Sequence, residues 1–139
     1  MTIQALTDIP LYQALARALV ARQNCEKSGN TEWFAKHTAT IQELCRLHLP
    51  SGSGFDNGTT INLDLSTSDK LVFVTSYHHM NGDGFYDGWT EHTVTVRPSL
   101  SSTITLAISG RDRNDVKEYI HECFTAALVA EVNPYPQTV

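Results

Sequence analysis

Apolar residues recur at helical spacing over the first third of the chain. Tyr12, Leu15, Ala16 and Leu19 share one face of a helix expected from about Pro10 to Lys27, with Thr7 or Asp8 as cap and Pro10 in the first turn. Ser28-Gly29-Asn30 interrupts the pattern. It resumes over a second helix from about Thr31 to His48, capped by Asn30 or Thr31, with Phe34, His37, Ile41, Leu44, Cys45 and His48 along one stripe. So short a break predicts an antiparallel αα-hairpin, which Pro50 ends.

Beyond Pro50 the period changes to two. Residues 59–65 (TTINLDL) place Ile61, Leu63 and Leu65 on one face. Residues 70–79 set Val72, Val74, Ser76 and His78 against Leu71, Phe73, Thr75 and Tyr77. Residues 89–97 alternate His92, Val94 and Val96 with Glu91, Thr93, Thr95 and Arg97, and residues 102–109 alternate Ile104, Leu106 and Ile108 with small or polar residues. Four such runs with short turns predict an antiparallel meander, one face on a core and the other largely wet.

A final helix is expected from about Asn114 to Val132, where Val116, Ile120, Cys123, Phe124, Ala127 and Leu128 share a face. Lys117, Glu118, His121 and Glu122 form its solvated side, and the tail NPYPQTV is irregular. The fold class is therefore α+β: an N-terminal αα-hairpin, a four-stranded antiparallel meander and a C-terminal helix, with the helices mainly on one sheet face. No linker divides residues 1–139, so a single domain is expected.

Composition narrows the function classes. Hydrophobic content of 41% and charged content of 18% suit a folded soluble protein. The net charge of −5 argues against nucleic acid or an anionic membrane as partner. No apolar run approaches the roughly 18 residues of a membrane span, and the start MTIQALTDIP has no secretory signal pattern. Three cysteines, Cys25, Cys45 and Cys123, without a CxxC pair read as free thiols in a reducing compartment, so a cytoplasmic location is expected.

The chemistry concentrates in YHHMNGDGFYDGWTEH, residues 77–92. Part of it echoes an earlier segment: residues 52–58 (GSGFDNG) and 82–88 (GDGFYDG) share G-x-G-F-x-x-G, each before a predicted strand. The pattern is not a dinucleotide fingerprint, because a strand and not a helix follows. Ordinary turn chemistry accounts for the glycines. A meander nevertheless brings both loops to one end of the sheet, together with the end of the second strand and the turn after the fourth. That end is expected to gather Phe55, Asp56, His78, His79, Asp83, Phe85, Tyr86, Asp87, Trp89, Arg111 and Arg113, beside the partially positive N-terminus of the last helix.

Pairing the middle strands so that position numbers sum to about 170 sets Val74 opposite Val96 and His78 opposite His92, with His79 on the other face. His78, His92 and an acidic residue such as Asp83, Asp87 or Glu91 then form a candidate metal site with hydrolytic potential. Against it, the spacing matches no standard metal motif, and NGDGFYDG fails as an EF-hand loop because Phe85 falls on a ligand position. Arg111, Arg113, His79 and the helix N-terminus favour a small anionic ligand. The aromatics Phe85, Tyr86 and Trp89 favour a protein partner.

GSGFDNGT, YHHMNGDGFYDGWTEH and SGRDRNDVKEYI together resemble a small uncharacterised family of phages, prophages and plasmids, over residues 51–121. The resemblance carries no fold, activity or catalytic residues; it implies an accessory protein that blocks a host protein or sequesters a host signal. The expectation is a soluble binding or regulatory protein, leaning away from an enzyme and with no cofactor. It engages a host protein or small anionic ligand through the loop-rich end of its sheet, and self-association as a homodimer stays open. The alternative is the metal site of His78, His92 and Asp87.

Overall fold

The computed structural model describes residues 9–80, 83–84, 86–98 and 104–132. Its elements run α1 (Pro10–Ser28), α2 (Thr31–His48), β1 (Phe55–Ile61), β2 (Leu71–Met80), β3 (Tyr86–Pro98), β4 (Ile104–Ser109) and α3 (Asn114–Val129). The strands form one antiparallel sheet in the order β1-β2-β3-β4, so the α+β meander expected from the alternation is the observed topology. Thr7 and Asp8, expected as caps, and the NPYPQTV tail lie outside the described residues.

Local chemistry fixes the αα-hairpin. Pro10 occupies the start of α1, where a missing N–H costs nothing. Ile9 is its N-cap, without a side-chain cap bond. Gly29 ends the helix at φ 75°, and the following N–H of Asn30 donates to the Cys25 carbonyl at 2.9 Å. Asn30 then caps α2, accepting from the Trp33 N–H at 3.2 Å. A single left-handed glycine thus reverses the chain and leaves both helix ends partnered.

Tyr12, Leu15, Ile41, Ile120, Phe124 and Leu128 are buried against Leu71, Phe73, Val94 and Val96 on the inner sheet face. The Phe73 and Phe124 rings lie 5.7 Å apart and tilted by 51°. Fully burying a side chain of that size contributes about 1.5–3 kcal/mol, which anchors α3 to the middle of the sheet.

The first strand differs from its expected bounds. It begins at Phe55 and ends at Ile61, whereas the alternation placed it over 59–65. Asn62 is the reason. Its side-chain oxygen accepts from the N–H groups of Asp64 and Leu65, both at 3.1 Å, and turns the chain out of the sheet. Leu65, expected on the core face, is 55% exposed.

The register of β2 against β3 is a second correction. Leu71 pairs with Val96, Phe73 with Val94, Thr75 with His92 and His78 with Trp89. These numbers sum to 167 instead of 170, and the odd offset reverses which residues share a face. The core lies on the side of Leu71, Phe73 and Tyr77, whose larger side chains cover more of it than Val74 could. His92 therefore points inward with His79, and His78 points to the outer face.

The glycine echo has a backbone counterpart. Its third and seventh positions are left-handed in both copies: Gly54 at φ 87° and Gly84 at 83°, then Gly58 at 79° and Gly88 at 99°. The last glycine of each copy sits where strand pairing slips, between Asp56 and Thr59 in β1 and opposite the His78–Met80 break in β2. In both copies the second left-handed glycine lies at a bulge near the start of a strand.

Candidate functional site

Four side chains from three elements meet under the loop-rich end of the sheet. β2 supplies His79, β3 supplies Thr90 and His92, and the turn between β4 and α3 supplies Asp112. The turn crosses the inner face at Gly110, whose lack of a side chain lets it lie directly on the His92 ring. Asp112 then reaches between two imidazoles. Its Oδ1 lies 3.0 Å from His79 Nε2, and its Oδ2 lies 2.9 Å from His92 Nε2. The His79 nitrogen is also 2.7 Å from the Thr90 hydroxyl, which donates to Asp112 at 3.4 Å.

The two imidazoles are not equivalent. His92 is 0% exposed, and its Nε2 approaches Asp112 off the hydrogen-bond line, so this contact is electrostatic. Burial holds the His92 imidazole below its ordinary pKa of 6.5, although the Asp112 carboxylate pulls the other way. His79 keeps 29% of its side chain exposed while Asp112 behind it keeps 7%. With Nε2 committed inward, Nδ1 is the His79 nitrogen without a protein partner among the described residues. The ring of Tyr77 stands edge-on between the imidazoles, 6.4 Å from His79 and 6.5 Å from His92.

His79 opens onto a cleft of ≈390 Å3 that Tyr77, His78, Arg113, Asp115, Val116 and Tyr119 also line. One wall is the start of α3, whose N-cap residue Arg113 makes no side-chain cap bond. The Val116 and Lys117 N–H groups donate to the Arg113 carbonyl at 3.1 and 3.3 Å, so the N–H groups of Asn114 and Asp115 are the ones left without a partner in the helix, where its partial positive charge lies. Arg113 pairs with Asp115 at 3.2 Å in an exposed position. Phe55 packs behind the cleft, stacked on Tyr119 at 5.8 Å and edge-on to Tyr77 at 5.8 Å.

The expected gathering is thus partly reproduced and redistributed. His79 and Arg113 line the cleft, and His78 borders it with its ring on the outer side of the sheet, whereas Phe55 is a core residue and no contact surface. Asp56 faces His78 at 3.5 Å on the outer side of the sheet, and Trp89 lies opposite His78 there, 58% exposed. Arg111 is exposed in the turn and Asp83 in the loop, outside the cleft lining. Phe85, and the side chains of Tyr86 and Asp87, lie outside the described residues.

The metal triad of His78, His92 and Asp87 is overturned, because its two histidines occupy opposite faces. His79 and His92 instead flank a single carboxylate from two sides, and no group of three or more ligating side chains able to hold a metal ion occurs among the described residues.

Sequence reasoning missed Asp112, Thr90 and Tyr119. Asp112 stands between two arginines, where an aspartate reads as a surface ion pair. The signal that could have found it is Gly110, which allows the turn to approach the sheet closely enough for the next polar side chain to be buried. No helix among the described residues is long and apolar enough to cross a membrane. Neither a protein-family model, nor a curated protein, nor a solved structure matches this chain.

Proposed function

We propose that the protein binds a small anionic ligand, one bearing a carboxylate or phosphate, in the cleft between the end of β2 and the start of α3. The observation that carries this reading is the convergence of Arg113, the uncapped N-terminus of α3 and the partly exposed His79 on one cleft. An oxyanion there receives N–H donors from the helix start and a guanidinium fork. The Arg113–Asp115 pair does not stand in the way: an ion pair so exposed holds with at most about 1 kcal/mol, so a ligand can displace the carboxylate. Asp112 fixes the His79 ring, so the cleft is preorganised. In the accessory-protein setting implied by the family resemblance, such a cleft suits sequestration of a host small-molecule signal.

Titration with succinate and inorganic phosphate, followed by NMR, tests this. The amide signals of residues 113–117 and the His79 ring signals should move, and Arg113→Ala should weaken binding about tenfold, the loss of one charge-assisted hydrogen bond. Unmoved signals with both anions at low salt reject the reading.

The exposure of Trp89 favours a second reading, recognition of a protein partner on the outer sheet face. Tryptophan is enriched at the centres of interfaces, and here it stands beside His78 on a surface of threonines and valine. Capture of a partner by wild type and equally by Trp89→Ala would remove that face from consideration.

A further inference from the structure

We infer that His79 and Asp112 form an acid–base pair that hydrolyses a carboxylic ester bearing a negative charge. The inference rests on the anion-binding reading of the same cleft and adds a reaction to it.

The geometry has three parts. First, a carboxylate 7% exposed sets one oxygen 3.0 Å from His79 Nε2, while its other oxygen lies 2.9 Å from the buried His92 without a hydrogen bond. A buried charge is costly unless it is paired, and the His79 imidazole and the Thr90 hydroxyl partner this one and fix its position. Second, only one of these imidazoles reaches solvent. His92 is sealed under Gly110, with its Nε2 beside one carboxylate oxygen, whereas His79 meets the other oxygen through Nε2 and lines the cleft. A partly exposed imidazole oriented by a buried carboxylate is the arrangement a general base needs. Third, the start of α3 and Arg113 supply donors where negative charge would develop.

A single acid–base group restricts the reaction class. In-line displacement at phosphorus puts the attacking and leaving oxygens on opposite sides, out of reach of one imidazole. Addition of water to an ester carbonyl keeps both oxygens on one tetrahedral carbon. His79 Nδ1 takes a proton from water as the water oxygen bonds to the carbonyl carbon and the carbonyl π pair moves onto oxygen. That oxyanion faces the α3 N–H groups and Arg113. It then re-forms the C=O bond, the C–O bond to the alcohol breaks, and the proton on Nδ1 passes to the leaving oxygen. Water and ester give carboxylic acid and alcohol, with no further co-reactant. His79 is the catalytic residue; Asp112 and His92 are positioning residues.

The test uses mono-p-nitrophenyl succinate as anionic ester and p-nitrophenyl acetate as neutral control. Wild type should release p-nitrophenolate from the succinate ester at least 100-fold faster than His79→Gln, the lower end for a positioned base. It should also prefer the charged ester, a preference that Arg113→Ala erases. Added imidazole should restore activity to His79→Gly but not to Asp112→Asn, whose pH–rate profile should shift. On unmutated protein, diethyl pyrocarbonate should abolish turnover in step with acylation of the His79 ring, resolved from its neighbour His78 by fragment ions, and independently of His121. Equal rates for wild type and His79→Gln, or full activity after acylation of His79, overturn the inference. Succinate that moves the cleft signals without ester turnover overturns catalysis and leaves the binding reading standing. If succinate and phosphate leave the signals unmoved and no turnover is seen, both fall.

Discussion

A Cβ on Gly110 would sit 2.3 Å from Cδ2 of the His92 ring and 2.8 Å from its Nε2. Gly110 is not left-handed, so space and not backbone conformation calls for glycine there. The ring cannot retreat, being fully buried against Tyr77. Gly110→Ala should therefore cost about 1–3 kcal/mol, the usual range for overpacking, measured as a shift in the urea midpoint at constant slope. In a His92→Ala background the same substitution should cost close to nothing, because the clashing ring is gone. An unchanged cost in that background would place the strain elsewhere.

His92 makes stability depend on pH. Burial keeps its imidazole neutral in the folded state below its ordinary pKa, against the pull of Asp112. The unfolded chain binds that proton near pH 6.5, so below that pH the unfolded state holds more protons than the folded state. Stability is complete above pH 6.5 and falls as pH drops below it, with a slope of at most about 1.4 kcal/mol per pH unit until the folded pKa is reached. Urea titrations between pH 7.5 and 5 should show this slope in wild type and a shallower one in His92→Gln. Equal slopes would mean that His92 protonates without resistance in the fold.

The helices were legible because their signals are local. Pro10, Gly29 and Asn30 each act within one turn of where they stand, and the apolar stripes of α1 and α2 need no partner to be seen. The sheet was legible in order but not in register. β2 carries apolar residues on both faces, Leu71 and Phe73 against Val72 and Val74, so alternation alone cannot say which face is inside. Val72 is itself buried, not by the core but by the turn that follows Asn62, where its N–H donates to Ser66 Oγ at 2.9 Å. Volume decides the matter, since Phe73 fits against Phe124. Once the parity was wrong, the site was wrong with it: His78 and His79 exchanged roles, and the partner of His79 lay in a turn whose Arg-Asp-Arg sequence resembles solvated surface.

Tyr12 carries a cost that a single atom can remove. Its side chain is 0% exposed, and its hydroxyl has no hydrogen-bond partner among the described residues. Burial, with Asp69 nearby, raises its pKa above the usual range for a phenol. An unsatisfied buried hydroxyl costs about 1–3 kcal/mol. Tyr12→Phe keeps the ring in its place between the helices and should raise stability by about 1 kcal/mol, seen as a higher Tm. A loss of that size would reveal a polar partner for the hydroxyl.

The three thiols should separate by reactivity. Burial pushes Cys45 up to about 12, so at pH 8 only about one thiol in 10,000 is the reactive thiolate. Its position at the α2–core contact also excludes a reagent until the helix opens. Cys25 and Cys123 are only partly covered. Under pulsed iodoacetamide, mass spectrometry should find Cys25 and Cys123 labelled first. Cys45 should be labelled at a rate that follows global unfolding and rises with urea in parallel with the loss of helical signal. Labelling of Cys45 as fast as Cys25 in native buffer would show that α2 opens locally, without the rest of the fold.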